Sequence, residues 1–200
     1  MGAKTTRETI LEAAHNLLTQ GQGVRMGDVA HAAGISRQAL YLHFKTRTEL
    51  LVATTLHLDE IKGRDARLAP VRAATSGLER LRLWVRAWCA YIPEIHGLAR
   101  ALMDQAVQDP EAANAWAARM EDVRDGCRSA VAMLDADTHL RRGLSVDQGT
   151  DLLWMLLSIP NWEALVQVRG WTQGEYAEHI ERVACEMLSG QASDATSRLP

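Results

Sequence analysis

Two hundred residues with 47% hydrophobic content exceed the common size of one domain and can bury a substantial core, so a small module joined to a larger one is expected. The formal net charge of −3 excludes attraction to a polyanion by bulk charge; residues 1–50 hold six Lys and Arg against four Asp and Glu, an excess of +2, and the remainder carries −5. Sparse glycine and proline, apolar residues at a 3.6-residue period and no alternating Val/Ile/Thr stretch predict an all-α chain and exclude a sheet.

Thr5 and Glu8 have the spacing of a capping box, so a first helix begins there, buries Ile10, Ala13, Ala14 and Leu17, and stops in Gly21-Gln22-Gly23. A second helix buries Val29, Ala30 and Ala33, and Gly34 can take the left-handed conformation that ends it. Ser36 then caps a short third helix carrying Arg37, Gln38, Ala39, Tyr41, Leu42 and His43, with Leu40 and Phe44 turned inward. Helix, tight turn and short helix together form a helix-turn-helix, a shape that fits a DNA major groove. Thr46 and Glu49 mark the next start, after a break at Lys45-Thr46.

From Thr48 a long connecting helix is expected toward Leu68, ending before Pro70, with Leu50, Leu51, Thr54, Leu58 and Ile61 available for packing. Ser76 and Glu79 start a helix with Leu78, Leu81, Trp84, Val85, Trp88 and Tyr91, which Pro93 is expected to end; a shorter helix with Leu98, Ala101, Leu102 and Met103 follows. Asp109-Pro110-Glu111 reads as N-cap, first-turn proline and dipole-favouring acid, opening a helix to about Leu134 along Trp116, Met120, Val123, Cys127 and Val131. Ser145 and Gln148 open LLWMLLSIPNWEALVQV, apolar nearly all round and so expected to be buried on more than one face, with Pro160 kinking or dividing it. Thr172 and Glu175 start the last helix, with Tyr176, Ile180, Val183, Ala184 and Met187 in register; residues 191–200 lack periodicity and read as a disordered tail.

TRETILEAAHNLL, DVAHAAGIS and LYLHFKTRTELL, spread over residues 5–55, together resemble the amino-terminal domain of the tetracycline-repressor-like (TetR/AcrR) transcriptional regulators. Two positions depart from that family's pattern: Arg47 stands where it usually has Lys, and Arg25 where it usually has a capping Ser or Thr. Arg47 keeps a charge for a phosphate, whereas Arg25 forfeits a cap of about 1 kcal/mol and either leaves the second helix less anchored or meets a phosphate itself. The resemblance implies a helix-turn-helix DNA-binding domain over residues 1–50 and a helical effector-binding and dimerisation domain over 51–190. It also implies a homodimer on a double-stranded, palindromic operator, released as a repressor by a small-molecule effector. The apolar helix and the last one then pack across a two-fold axis; within one chain they would serve its own core.

On this resemblance the DNA-binding residues are Arg25, Ser36, Arg37, Gln38, Ala39, Tyr41, Leu42, His43 and Arg47. Arg37, Gln38, Ala39 and Leu42 fall where bases are read: Arg pairs with guanine, Gln with adenine, and Ala or Leu touches a thymine methyl. Tyr41, His43 and Arg47 fall at phosphate-contact positions. All six tryptophans lie beyond residue 83, either as helical core or as walls for an apolar or aromatic effector. The expected effector residues are Trp84, Trp88, Tyr91, Arg100, Met103, Trp116, Met120 and Trp154, with Asp104 and Gln105 beside Arg100 for a polar end.

Cys89, Cys127 and Cys185 are odd in number and lack a Cys-x-x-Cys pair, as in a reducing cytoplasm. No leader-like start and no long apolar run are present, so a cytoplasmic protein without a membrane partner is expected. The histidines are never closer than twelve residues, and neither a Gly-x-Ser-x-Gly elbow nor a phosphate loop occurs, so no catalytic residue, metal or cofactor is expected. The competing reading is a helical small-molecule-binding protein or enzyme whose helix-turn-helix is vestigial.

Overall fold

A computed structural model describes residues 4–21, 24–61 and 63–190. Its elements are α1 (Thr6–Thr19), α2 (Met26–Ala32), α3 (Arg37–His43), α4 (Arg47–Ile61), α5 (Arg64–Ala73), α6 (Gly77–Ala106), α7 (Pro110–Ala136), α8 (Val146–Leu156), α9 (Ile159–Trp162), a π-helical turn (Glu163–Val168) and α10 (Gln173–Leu188). The described residues contain no strand, only an isolated bridge between Leu140 and Ser189, and none of their helices is long and apolar enough to cross a membrane. They form two compact units, Met1–Arg64 with Pro93–Met120, and Asp65–Ile92 with Glu121–Pro200.

The first unit is built on Ile10, Leu11, Ala14, Val29, Leu40, Phe44, Leu50, Leu51, Leu98 and Leu102. Thr5 and Glu8 close the capping box reciprocally, satisfying two amides that the first turn of α1 leaves open. Leu17 is only half-buried, and Leu11 and Leu18 fill the core instead. Gly97 lets α6 lie directly on the end of α1, because a Cβ there would come within 2.4 Å of the Leu18 carbonyl oxygen. The expected connecting helix is two helices: α4 ends at Ile61, Gly63 turns with φ +62°, and α5 starts anew with Pro70 inside it. The left-handed glycine ends α4 seven residues before Pro70 is reached. Ile61 is accordingly exposed rather than packed, and the tail at 191–200 and the Gln22-Gly23 turn lie outside the described residues.

Pro93 does not end its helix either. α6 continues through it for 30 residues, and the carbonyl of Cys89, which residue 93 has no N–H to reach, accepts a hydrogen bond from Gln173 Nε2 at 2.7 Å. Gln173 Oε1 in turn accepts from Trp162 Nε1 at 2.8 Å. In this second unit Gly77 touches the backbone of α7, a Cβ there falling 2.4 Å from Leu134 Cα, and Gly126 receives the outer atoms of the Trp84 ring. The apolar run after Ser145 is divided, as expected, at Ser158-Ile159-Pro160. It is not buried all round: Leu153, Leu157, Ile159 and Trp162 point inward, while Met155 is 54% and Trp154 38% exposed.

Candidate nucleic-acid interface

Helix α2 stops because the backbone reverses at Gly34 with φ +68°, a conformation that costs glycine nothing. The amides of Gly34 and Ile35 return to the carbonyls of His31 and Ala30, each at 3.0 Å. Ser36 restarts the chain as a helix by accepting the Ala39 N–H at 3.1 Å. With Leu40 and Phe44 fully buried, the same seven residues must turn their other side outward. Arg37, Gln38, Tyr41, Leu42 and His43 are all exposed there, Leu42 to 84%, whereas Ala39 is half-buried.

Arg37 and Tyr41, one turn apart, behave as a pair. The guanidinium lies 5.7 Å from the ring centroid and its Nη2 donates to the Tyr41 hydroxyl at 3.5 Å, which raises its already high pKa. Arg25 occupies the N-cap of α2 with no side-chain hydrogen bond to the first turn and is exposed, so the missing cap read from the sequence is real. Ser36 is exposed but its hydroxyl is committed to capping.

Arg47 is placed differently from the outward set. Half-buried at the start of α4, it donates from Nε to the Val24 carbonyl at 2.8 Å and from Nη1 to Gln105 Oε1 at 2.6 Å. Gln105 Nε2 donates to Thr48 Oγ1 at 2.9 Å and Asp109 Oδ2 at 3.2 Å, and the buried Thr48 hydroxyl donates to the same carboxylate. The other Asp109 oxygen caps α7 by accepting the Glu111 N–H at 2.9 Å. Donation from Thr48 and then Gln105 holds the Asp109 carboxyl below its ordinary pKa. Sequence reasoning found Asp109 only as a cap and Gln105 only as an effector contact; Thr48, a polar residue among the apolar positions of α4, was the available signal.

Residues 10–54 match the family model described as bacterial regulatory proteins, tetR family. The helix-turn-helix-type regulator CymR of Pseudomonas putida is 28% identical over 160 residues, 78% of this chain and 76% of its own. The helix-turn-helix-type repressor LfrR of Mycolicibacterium smegmatis is 35% identical over 74 residues, 34% of this chain and 39% of that one. These likenesses support a transcriptional regulator of the TetR family. The fold is shared over nearly the whole chain with a Saccharomonospora viridis protein described as a transcriptional regulator in complex with choline, which superposes with a TM-score of 0.78 at 16% identity, over 92% of this chain and 98% of its own.

The expected effector residues fall into separate groups. In the second unit Trp84, Trp88 and Tyr91 are buried along α6. Trp84 Nε1 donates to Cys127 Sγ at 3.4 Å and Trp88 Nε1 to the Leu157 carbonyl at 2.7 Å. Trp88 and Tyr91 meet edge to face at 6.3 Å, and the Arg67 guanidinium covers the Tyr91 ring at 3.6 Å. Trp154 stands apart from them, partly exposed on α8. In the first unit Trp116 packs on the core, Met103 and Met120 are half-buried, and half-buried Arg100 pairs with exposed Asp104 at 2.8 Å.

Proposed function

We propose that this regulator is a homodimeric repressor that holds a two-fold operator through paired α3 helices and releases it when a small apolar or aromatic molecule binds the carboxy-terminal helices. The observation that carries the reading is the outward face of α3: Arg37, Gln38, Tyr41, Leu42 and His43 exposed on a helix whose other side is locked by Leu40 and Phe44. In this assignment Arg37, Gln38 and Leu42 meet base edges, with Ala39 beside them, and Tyr41, His43, Arg25 and Arg47 meet phosphates. Ser36 holds the first turn of α3 in place. The repressor sign is supported by the likeness to LfrR, a transcriptional repressor.

Effector action is a population shift: a molecule that favours a dimer with wrongly spaced α3 helices weakens DNA binding by its preference for that state. Trp84, Trp88 and Tyr91 offer aromatic surface for it in the second unit, while Arg100, Met103, Trp116 and Met120 are assigned from the first and Trp154 from α8. A neutral aromatic ligand suits these walls better than a cation, since the Tyr91 face is already taken by Arg67. Selection of bound fragments from the source genome with purified protein tests the proposal. It predicts an inverted repeat with half-sites about one helical turn, or a multiple, apart; failure to enrich any sequence at low salt contradicts it.

A further inference from the structure

Gln105, at the end of α6, touches three groups at once, and its amide can be oriented in only one way. Oε1 faces the Arg47 guanidinium, a donor, while Nε2 faces the Thr48 hydroxyl and the Asp109 carboxylate. Turning the amide over would set donor against donor and acceptor against carboxylate. Thr48 is fully buried, and Asp109 is fixed independently as the cap of α7. The amide is thus clamped from the α7 side, and it in turn fixes Arg47, whose Nε is held by the carbonyl of Val24, two residues before α2 begins. A side chain at the α6–α7 turn therefore sets a cation at the helix-turn-helix.

We infer that Gln105 is a positioning residue: it presents the Arg47 guanidinium to an operator phosphate and makes DNA affinity sensitive to any displacement of the α6–α7 turn. Two of the three nitrogens of the guanidinium are spent on Gln105 and Val24, and Nη2 has no partner among the described residues. A preformed fork with one open edge binds a phosphate without first losing the freedom of a long side chain. Gln105 itself never meets DNA in this arrangement. The inference rests on the proposed DNA contact of Arg47, and it makes the α6–α7 turn the point at which effector binding reaches the helix-turn-helix.

The test is a double-mutant cycle on the full chain, using a labelled duplex that the parent protein selects from a random-sequence pool. Gln105→Leu is expected to weaken binding about tenfold and to lower the slope of log affinity against log salt by about 1.8, the loss of one phosphate contact per protomer and so two per dimer. In an Arg47→Ala background the same substitution is expected to change neither quantity. Equal weakening in both backgrounds, or an unchanged salt slope, means that Gln105 merely supports the fold and overturns the inference while the DNA-binding reading stands. A parent protein that selects no duplex overturns both. Should Gln105→Leu fail to fold, Gln105→Asn, one methylene short of the guanidinium, carries the same cycle and the same outcomes.

Discussion

Single side chains here are held by where backbones come close. The Trp84 ring lies against bare α7 because residue 126 is glycine; an added Cβ would sit 2.1 Å from Cη2. The indole N–H is also committed to Cys127, so the ring cannot simply swing away. Gly126→Ala is expected to destabilise the chain by about 1–3 kcal/mol, as overpacking of a filled core does. Urea denaturation followed by tryptophan fluorescence measures it, and Trp84→Phe in the same chain should recover part of the loss. Additive costs would show that Trp84 is not what the methyl meets. None of this was visible in the sequence, where Gly126 reads as a weak helix residue and Trp84 as an expected effector residue.

At the scale of elements, local chemistry was legible and long-range compensation was not. The boxes at Thr5, Ser145 and Thr172 form as their spacing implies, since every atom involved lies within four residues. Glu49 and Glu79 depart by one position, their carboxylates taking the amides of Lys45 and Thr75. Pro93 misled because its cost is met by Gln173, 84 residues from the carbonyl it serves, and no periodicity encodes such a pairing. Gly63 misled in the opposite sense, as a glycine inside an apolar pattern that proved to end it. The outward set of α3 was legible because inward Leu40 and Phe44 fix the helix's rotation; the held position of Arg47 depends on Gln105, 58 residues away.

The caps also set a pH dependence. Backbone donation from Thr5, Thr75 and Thr172, helped by their hydroxyls, holds the carboxyls of Glu8, Glu79 and Glu175 below the ordinary 4.5. Groups with a lowered folded pKa stabilise the fold above their unfolded value and lose that contribution as pH falls through the folded one. The melting temperature should therefore be flat from neutral pH to about 5 and decline below it. Glu175→Gln keeps an acceptor for the Thr172 amide but cannot titrate, so its deficit against the parent should shrink between neutral and acid pH. A constant deficit would mean the Glu175 charge contributes nothing.

The whole molecule carries too little positive charge to hold DNA by attraction alone, so the proposed activity depends on placing two α3 helices together. Met155, 54% exposed on α8, is the apolar surface we assign to the two-fold contact. Met155→Glu is expected to shift sedimentation from dimer to monomer and to weaken operator binding at least tenfold, an order-of-magnitude expectation for a charge buried in an interface. An unchanged dimer would move the contact elsewhere. The most direct test of the central claim compares the base-preference profile of the parent with that of Arg37→Ala, by selection from one random duplex pool. If α3 reads the groove, the variant loses preference at one base pair in each half-site, mirrored about the dyad, at a cost of roughly 1–3 kcal/mol. An identical profile for the two proteins would contradict it.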